Sequence, residues 1–156
     1  MSLTDTFKST TRDTLKSLVR TLNDGKEGFR QASESVKDTD LKELFSKFSL
    51  QRSKFAGELQ AELLTLGEED PQDEGTTFSG KLHRGWIDIK SALTKADRHA
   101  VLAEAERGED VAKKAYKDAL ETDLPAPLRA IISEQSAEVL AAHNTVRDLR
   151  NACAKK

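Results

Sequence analysis

The stretch Ala103–Leu120, AEAERGEDVAKKAYKDAL, decides how this chain folds. Its alanines, lysines and glutamates favour a helix, and no proline interrupts it. On that helix Glu109 and Tyr116 stand seven residues apart, on one stripe that faces inward. A carboxylate and a phenol on an inward stripe both need partners, because an unpaired charge or hydroxyl is costly to remove from water. Those partners must come from other helices.

Working outward, the same periodicity recurs. A helix from about Asp97 to Thr122 holds the stretch, and Asp123-Leu124-Pro125 turns the chain into a last helix, about Ala126 to Ala152. That helix aligns Leu128, Ile131, Ile132, Val139, Ala142, Val146 and Leu149, with Gln135 in mid-face and His143 at the edge. Upstream, a helix from about Asp13 to Val36 aligns Leu15, Leu18, Val19, Leu22, Phe29 and Val36. Asn23 flanks that stripe, and Gly25 permits close approach at some cost in helix propensity. After the turn at Lys37–Asp40, a second helix runs to about Leu66, with Gly67 as a natural stop. Two polar residues interrupt its apolar face, Arg52 near the centre and Glu62 toward the flank.

Between the two halves, EEDPQDEGTT (Glu68–Thr77) reads as loop, and Leu82, Trp86, Ile89 and Leu93 mark a shorter amphipathic helix. The expected organisation is a single domain over residues 1–156, with its core at about 13–152, a loop at 67–77 and a crossover helix at about 78–93. Short turns make each long pair a hairpin, and the stretch Gly67–Ala96 is long enough to cross the bundle. One long crossover between two hairpins is the ferritin-like four-helix bundle, an all-α fold.

Composition narrows the function classes. The charge is −2, and lysine and arginine are spread along the chain, where a nucleic-acid grip needs a basic face. No nucleic acid is expected. Mean hydropathy is −0.61 and no apolar run reaches the ~20 residues of a membrane span, so no membrane is expected either. No charged-then-apolar leader precedes the first helix, and the single cysteine, Cys153, fits a reducing compartment, which makes the cytoplasm the expected location. No glycine-rich phosphate loop, nucleophile elbow or zinc-knuckle spacing is present.

Metal-holding ferritin-like bundles take one Glu from each of two helices and a Glu-x-x-His from each of the other two. The three histidines here, His83, His99 and His143, follow Gly80, Ala96 and Leu140 at that spacing, so the motif is missing. In the second helix Arg52 and Phe55 stand where glutamate and histidine would be. The first helix offers Asn23. A reduced ligand set, Glu62, Glu109 and His143, could hold iron or manganese, but an arginine among them repels cations. Asn23, Arg52, Glu109, Tyr116 and Gln135 therefore read as a central polar cluster in which the Arg52 guanidinium takes the place of a cation and pairs with Glu109. Glu104, Glu106 and Asp110 read as a solvated acidic edge.

The segments LNDGKEGFRQAS (22–33), KLHRGWIDIKSALT (81–94), EAERGEDVAKKAYKDALE (104–121) and AAHNTVRDLR (141–150) resemble a family of uncharacterised bacterial four-helix-bundle proteins. That family is a domain of unknown function within the ferritin-like, rubrerythrin-related superfamily. The resemblance spans about Leu15 to Asn151 and implies a ferritin-like fold, with no established activity. A stress-related role would fit ferritin-like relatives. The expected function is non-enzymatic, structural or interaction-based, with no cofactor and no catalytic residue. The rival is a metal-dependent, di-iron-like oxidase or peroxidase with a degenerate ligand set, and a third reading is a carrier using a groove under the crossover helix. A homodimer is favoured over a monomer, since ferritin-like domains pair through helix faces and the first helix is apolar over several turns; a physiological protein partner is not specified by the sequence.

Trp86 is expected to anchor its helix on the bundle, so Trp86→Ala should cost ~3–5 kcal/mol in denaturant titrations. A loss within ~0.5 kcal/mol would show that the segment is not held by that side chain.

Overall fold

The computed structural model describes residues 3–67 and 97–154. The expected loop at 67–77 beyond Gly67, the crossover helix at 78–93 and the anchoring of Trp86 lie outside those residues. Among the described residues there are four helices and no strand: α1 (Leu3–Ser35), α2 (Thr39–Thr65), α3 (Arg98–Leu120) and α4 (Ala126–Ala154).

The helix ends follow local chemistry. Asp97 caps α3 by accepting a hydrogen bond from the His99 amide at 3.0 Å. Asp38 stands at the N-cap of α2, yet its side chain makes no cap bond and instead meets Arg98 at 2.6 Å. Gly67 terminates α2 with φ +88°, the left-handed conformation that glycine adopts without strain. Where α3 ends, Arg129 donates to the carbonyls of Leu120 and Thr122 at 2.7 and 2.6 Å, satisfying groups that the helix leaves open. The first helix starts ten residues before the expected Asp13 (Leu3 against Asp13). Its opening turns lack a continuous apolar stripe, but nothing there stops propagation, and Thr11 and Thr14 bond back to the carbonyls of Phe7 and Thr10.

Packing fixes the helix directions. One apolar cluster joins Leu15, Leu18 and Leu22 of α1 to Phe55, Leu59 and Leu63 of α2, Ala112, Tyr116 and Ala119 of α3, and Leu128 and Ile132 of α4. A second joins Phe29 and Ala32 to Phe45 and Phe48, Val101, Leu102 and Ala105, and Ala142 and Val146. The late half of α2 thus lies level with the late half of α3, and the early halves of α1 and α4 lie with them. Consequently α2 and α3 run in the same direction, and α1 and α4 run opposite to both. Arg98, at the start of α3, confirms the register by pairing with Asp38 and Asp40 at the start of α2.

The closest partners are α1 with α2 and α3 with α4, and α1 also lies along α3. This puts α2 diagonally across the bundle from α3. Between α2 and α4 the contact is looser, and a groove of about 320 Å³ opens there, lined by Lys54, Phe55, Glu58, Glu62, Ile131 and Gln135 among others.

Gly25 sits inside α1 with its missing side chain facing Arg52, where an added Cβ would lie 3.6 Å from Nη1 and 3.7 Å from Cγ. That is ordinary van der Waals contact, so Gly25→Ala should gain helix propensity without displacing Arg52. The expected outcome is a stability increase of up to ~1 kcal/mol, a rise of roughly 2–4 °C in Tm by thermal denaturation. A net loss would show that the guanidinium needs the full space the glycine leaves.

Candidate functional site

Arg52 and Glu109 occupy the middle of α2 and α3, and the shared direction of those helices brings the two midpoints to one level. Because the pair is diagonal, only a long side chain can bridge the gap. Arg52 does so. Nη1 donates to Glu109 Oε1 and Nη2 donates to Oε2 at 2.7 Å, a bidentate fork on both carboxylate oxygens. The two side chains are 1% and 0% exposed, so neither charge has water as an alternative partner. A third guanidinium donor, Nε, goes to Gln51 Oε1 at 3.1 Å.

The ion pair separates the two apolar clusters. On one side the Arg52 guanidinium carbon lies 5.4 Å from the centre of the Phe29 ring, close enough for a cation–π attraction. Phe29 in turn packs against Phe45 and Phe48, with centroids 5.7 and 5.3 Å apart. On the other side is a second polar pair. Tyr116 donates its hydroxyl to Gln135 Oε1 at 2.7 Å, and the Gln135 amide donates to Glu58 at 2.8 Å and to the Phe55 carbonyl at 3.4 Å. Burial pushes the Tyr116 phenol well above its ordinary pKa, against a smaller downward pull from the Arg52 charge. The phenol is therefore held neutral as a hydrogen-bond donor.

The five residues read from the sequence as one cluster thus divide. Arg52 meets Glu109, and Tyr116 meets Gln135. Tyr116 and Gln135 do not complete the ion pair, because Tyr116 lies two turns, ~10 Å, further along α3 and reaches α4 at its own level. Asn23 is half-buried on the flank of α1, while the neighbouring Asp24 is buried. α1 lies against both α2 and α3, so it buries a wider arc than its apolar stripe alone suggests.

The acidic edge of α3 is not simply solvated. Glu104 pairs with Arg107, and Glu106 lies 2.8 Å from Arg150 of α4. The buried His143 places Nε2 at 2.7 Å from Asp110 and 3.9 Å from Glu106, with Nδ1 at 3.2 Å from the Asn144 side-chain oxygen. Partners on another helix are invisible to spacing along one helix. Glu58 is exposed yet accepts a hydrogen bond from Gln135.

A di-metal centre of the ferritin-like kind needs carboxylates and histidines aimed at one point. The described residues do not fit it. Both Glu109 oxygens are engaged by Arg52, Glu62 lines the α2–α4 groove, and His143 faces the acids of α3. Among the described residues no group of three or more His, Cys, Asp or Glu side chains is placed to hold a metal ion.

The fold and the site together define an all-helical bundle with a desolvated ion pair at its centre. The family described as a domain of unknown function (DUF2383) matches residues 10–122, well over half of the 156 residues, and the chain belongs to that family. The match takes in both Arg52 and Glu109 and ends before α4. No curated protein matches the chain.

Removing one member of the pair should be worse than removing both. Arg52→Ala and Glu109→Ala should each cost ~3–5 kcal/mol by urea titration, since each leaves a buried charge without its counter-ion. Arg52→Met with Glu109→Leu should recover much of that loss. Nearly neutral single variants with no coupling would mean the pair carries no stability.

Proposed function

We propose that this chain is a ferritin-like bundle in which an arginine serves as the central cation, and that it acts through association, with itself or another protein, rather than by catalysis. The observation that carries this reading is the bidentate Arg52–Glu109 pair at the bundle centre. A metal ion would have to displace a guanidinium already matched to that carboxylate. Arginine does not lose its charge to make room.

The shared direction of α2 and α3 supports the ferritin-like assignment. α2 ends at one end of the bundle and α3 begins at the other, the placement that the ferritin-like topology gives its second and third helices. A rubrerythrin-related ancestry and a bacterial source accord with the sequence resemblance, and a cytoplasmic location accords with the single cysteine. No described helix is long and apolar enough to cross a membrane. A stress-related role remains the reading suggested by ferritin-like relatives.

Metal analysis of untagged protein tests this directly. Iron and manganese should both be far below one ion per chain, and added Fe(II) should leave the Tm unchanged. Near-stoichiometric metal that raises the Tm would replace this reading with the oxidase or peroxidase one.

A further inference from the structure

The apolar stripe of α1 that favoured a homodimer in the sequence is buried in the chain's own core: Leu15, Leu18, Val19, Leu22 and Phe29. Exposed apolar surface lies elsewhere. Leu50 and Leu64 of α2 are 70% and 57% exposed. Between them Ser53, Gly57 and Ala61 are also exposed. At ~100° per residue these five positions fall within an arc of about 80°, pointing away from the bundle.

Gly57 is the informative member. It lies in mid-helix, where glycine costs roughly 1 kcal/mol relative to alanine. A Cβ built on it meets nothing within 4 Å among the described residues, so their packing makes no use of the missing side chain. The stripe is also symmetric about that residue: Leu50 and Leu64 stand seven positions to either side, and Ser53 and Ala61 four. Such a face is self-complementary for antiparallel packing about a two-fold axis, the commonest symmetry of soluble oligomers.

We propose that a second copy of this chain docks on this face, with the two α2 helices antiparallel and crossing at Gly57. The proposal rests on the reading above that the chain acts through association. Leu50 of one copy then packs beside Leu64 of the other, and the backbones approach closely at the glycines. Charge complementarity favours the same register. Lys54 and Glu58, both exposed, share the flank of the stripe that borders the α2–α4 groove, where one Glu58 oxygen accepts from Gln135 and the other is left to pair. The two-fold axis brings Lys54 of each copy within ~3 Å, along the helix axis, of Glu58 of the other. One helix face is smaller than a standard interface, so the association is a weak, reversible one.

Sedimentation from low to high micromolar concentration should show a reversible shift from the 17.3 kDa species to twice that mass. Gly57→Gln should weaken the dimer at least ~10-fold by holding the two backbones apart at the crossing, with an unchanged circular dichroism spectrum. In a Cys153→Ser background, Gly57→Cys should form a disulfide-linked dimer on mild oxidation. Ser46→Cys should not, because its two copies would lie ~33 Å apart along the helices. A wild-type chain that stays monomeric throughout overturns both this proposal and the self-association in the reading above. A dimer that ignores Gly57→Gln and fails to cross-link at that position overturns this face alone.

Discussion

Arg52 and Glu109 are each costly to bury alone, and the structure buries both. What makes this tolerable is geometry. Two parallel helices on the diagonal of the bundle hold the charged groups at one level, and the arginine is long enough to lay its fork on both carboxylate oxygens. The surroundings are arranged for the same pair. Gly25 lies against the Arg52 side chain, Phe29 offers it a ring face, and Gln51 accepts from Nε. A one-turn slip of either helix would move a charge by ~5 Å into apolar surroundings, so the pair also fixes register.

That constraint spreads through the fold. With register fixed at the middle, the core divides into an end containing Tyr116 and an end containing the cluster of Phe29, Phe45 and Phe48. Tyr116 and Gln135 form a second, neutral polar contact between α3 and α4, while His143 and Arg150 bind α4 to the acids of α3. Apolar packing supplies bulk stability, and directional polar contacts choose among the ways four similar helices could pack.

Much of this was legible in the sequence for an identifiable reason. A charged residue at the midpoint of an otherwise apolar stripe, as at Arg52 and at Glu109, breaks the pattern where the pattern is strongest. The helix boundaries at Asp97, Gly67 and the Leu124-Pro125 turn were carried by local cap and turn chemistry. The start of α1 was not legible, because its first turns are helical without a continuous apolar stripe. Asp24 and the cross-helix partners of Glu106 and Asp110 escaped for another reason: their environment belongs to a neighbouring helix, which spacing along one helix does not encode. The division of the polar cluster into two pairs depended on axial distance across the bundle, and composition is silent on that.

The account's central claim is that the Arg52 guanidinium is locked on Glu109 and plays the part of a bound cation. Nitrogen-15 NMR of the arginine side chains tests it most directly. Rotation about the guanidinium bonds should be hindered at Arg52, giving separately resolved Nη1 and Nη2 proton signals that exchange slowly with water and collapse in Glu109→Gln. A single, rapidly averaged and rapidly exchanging signal, like that of a guanidinium free in water, would contradict it.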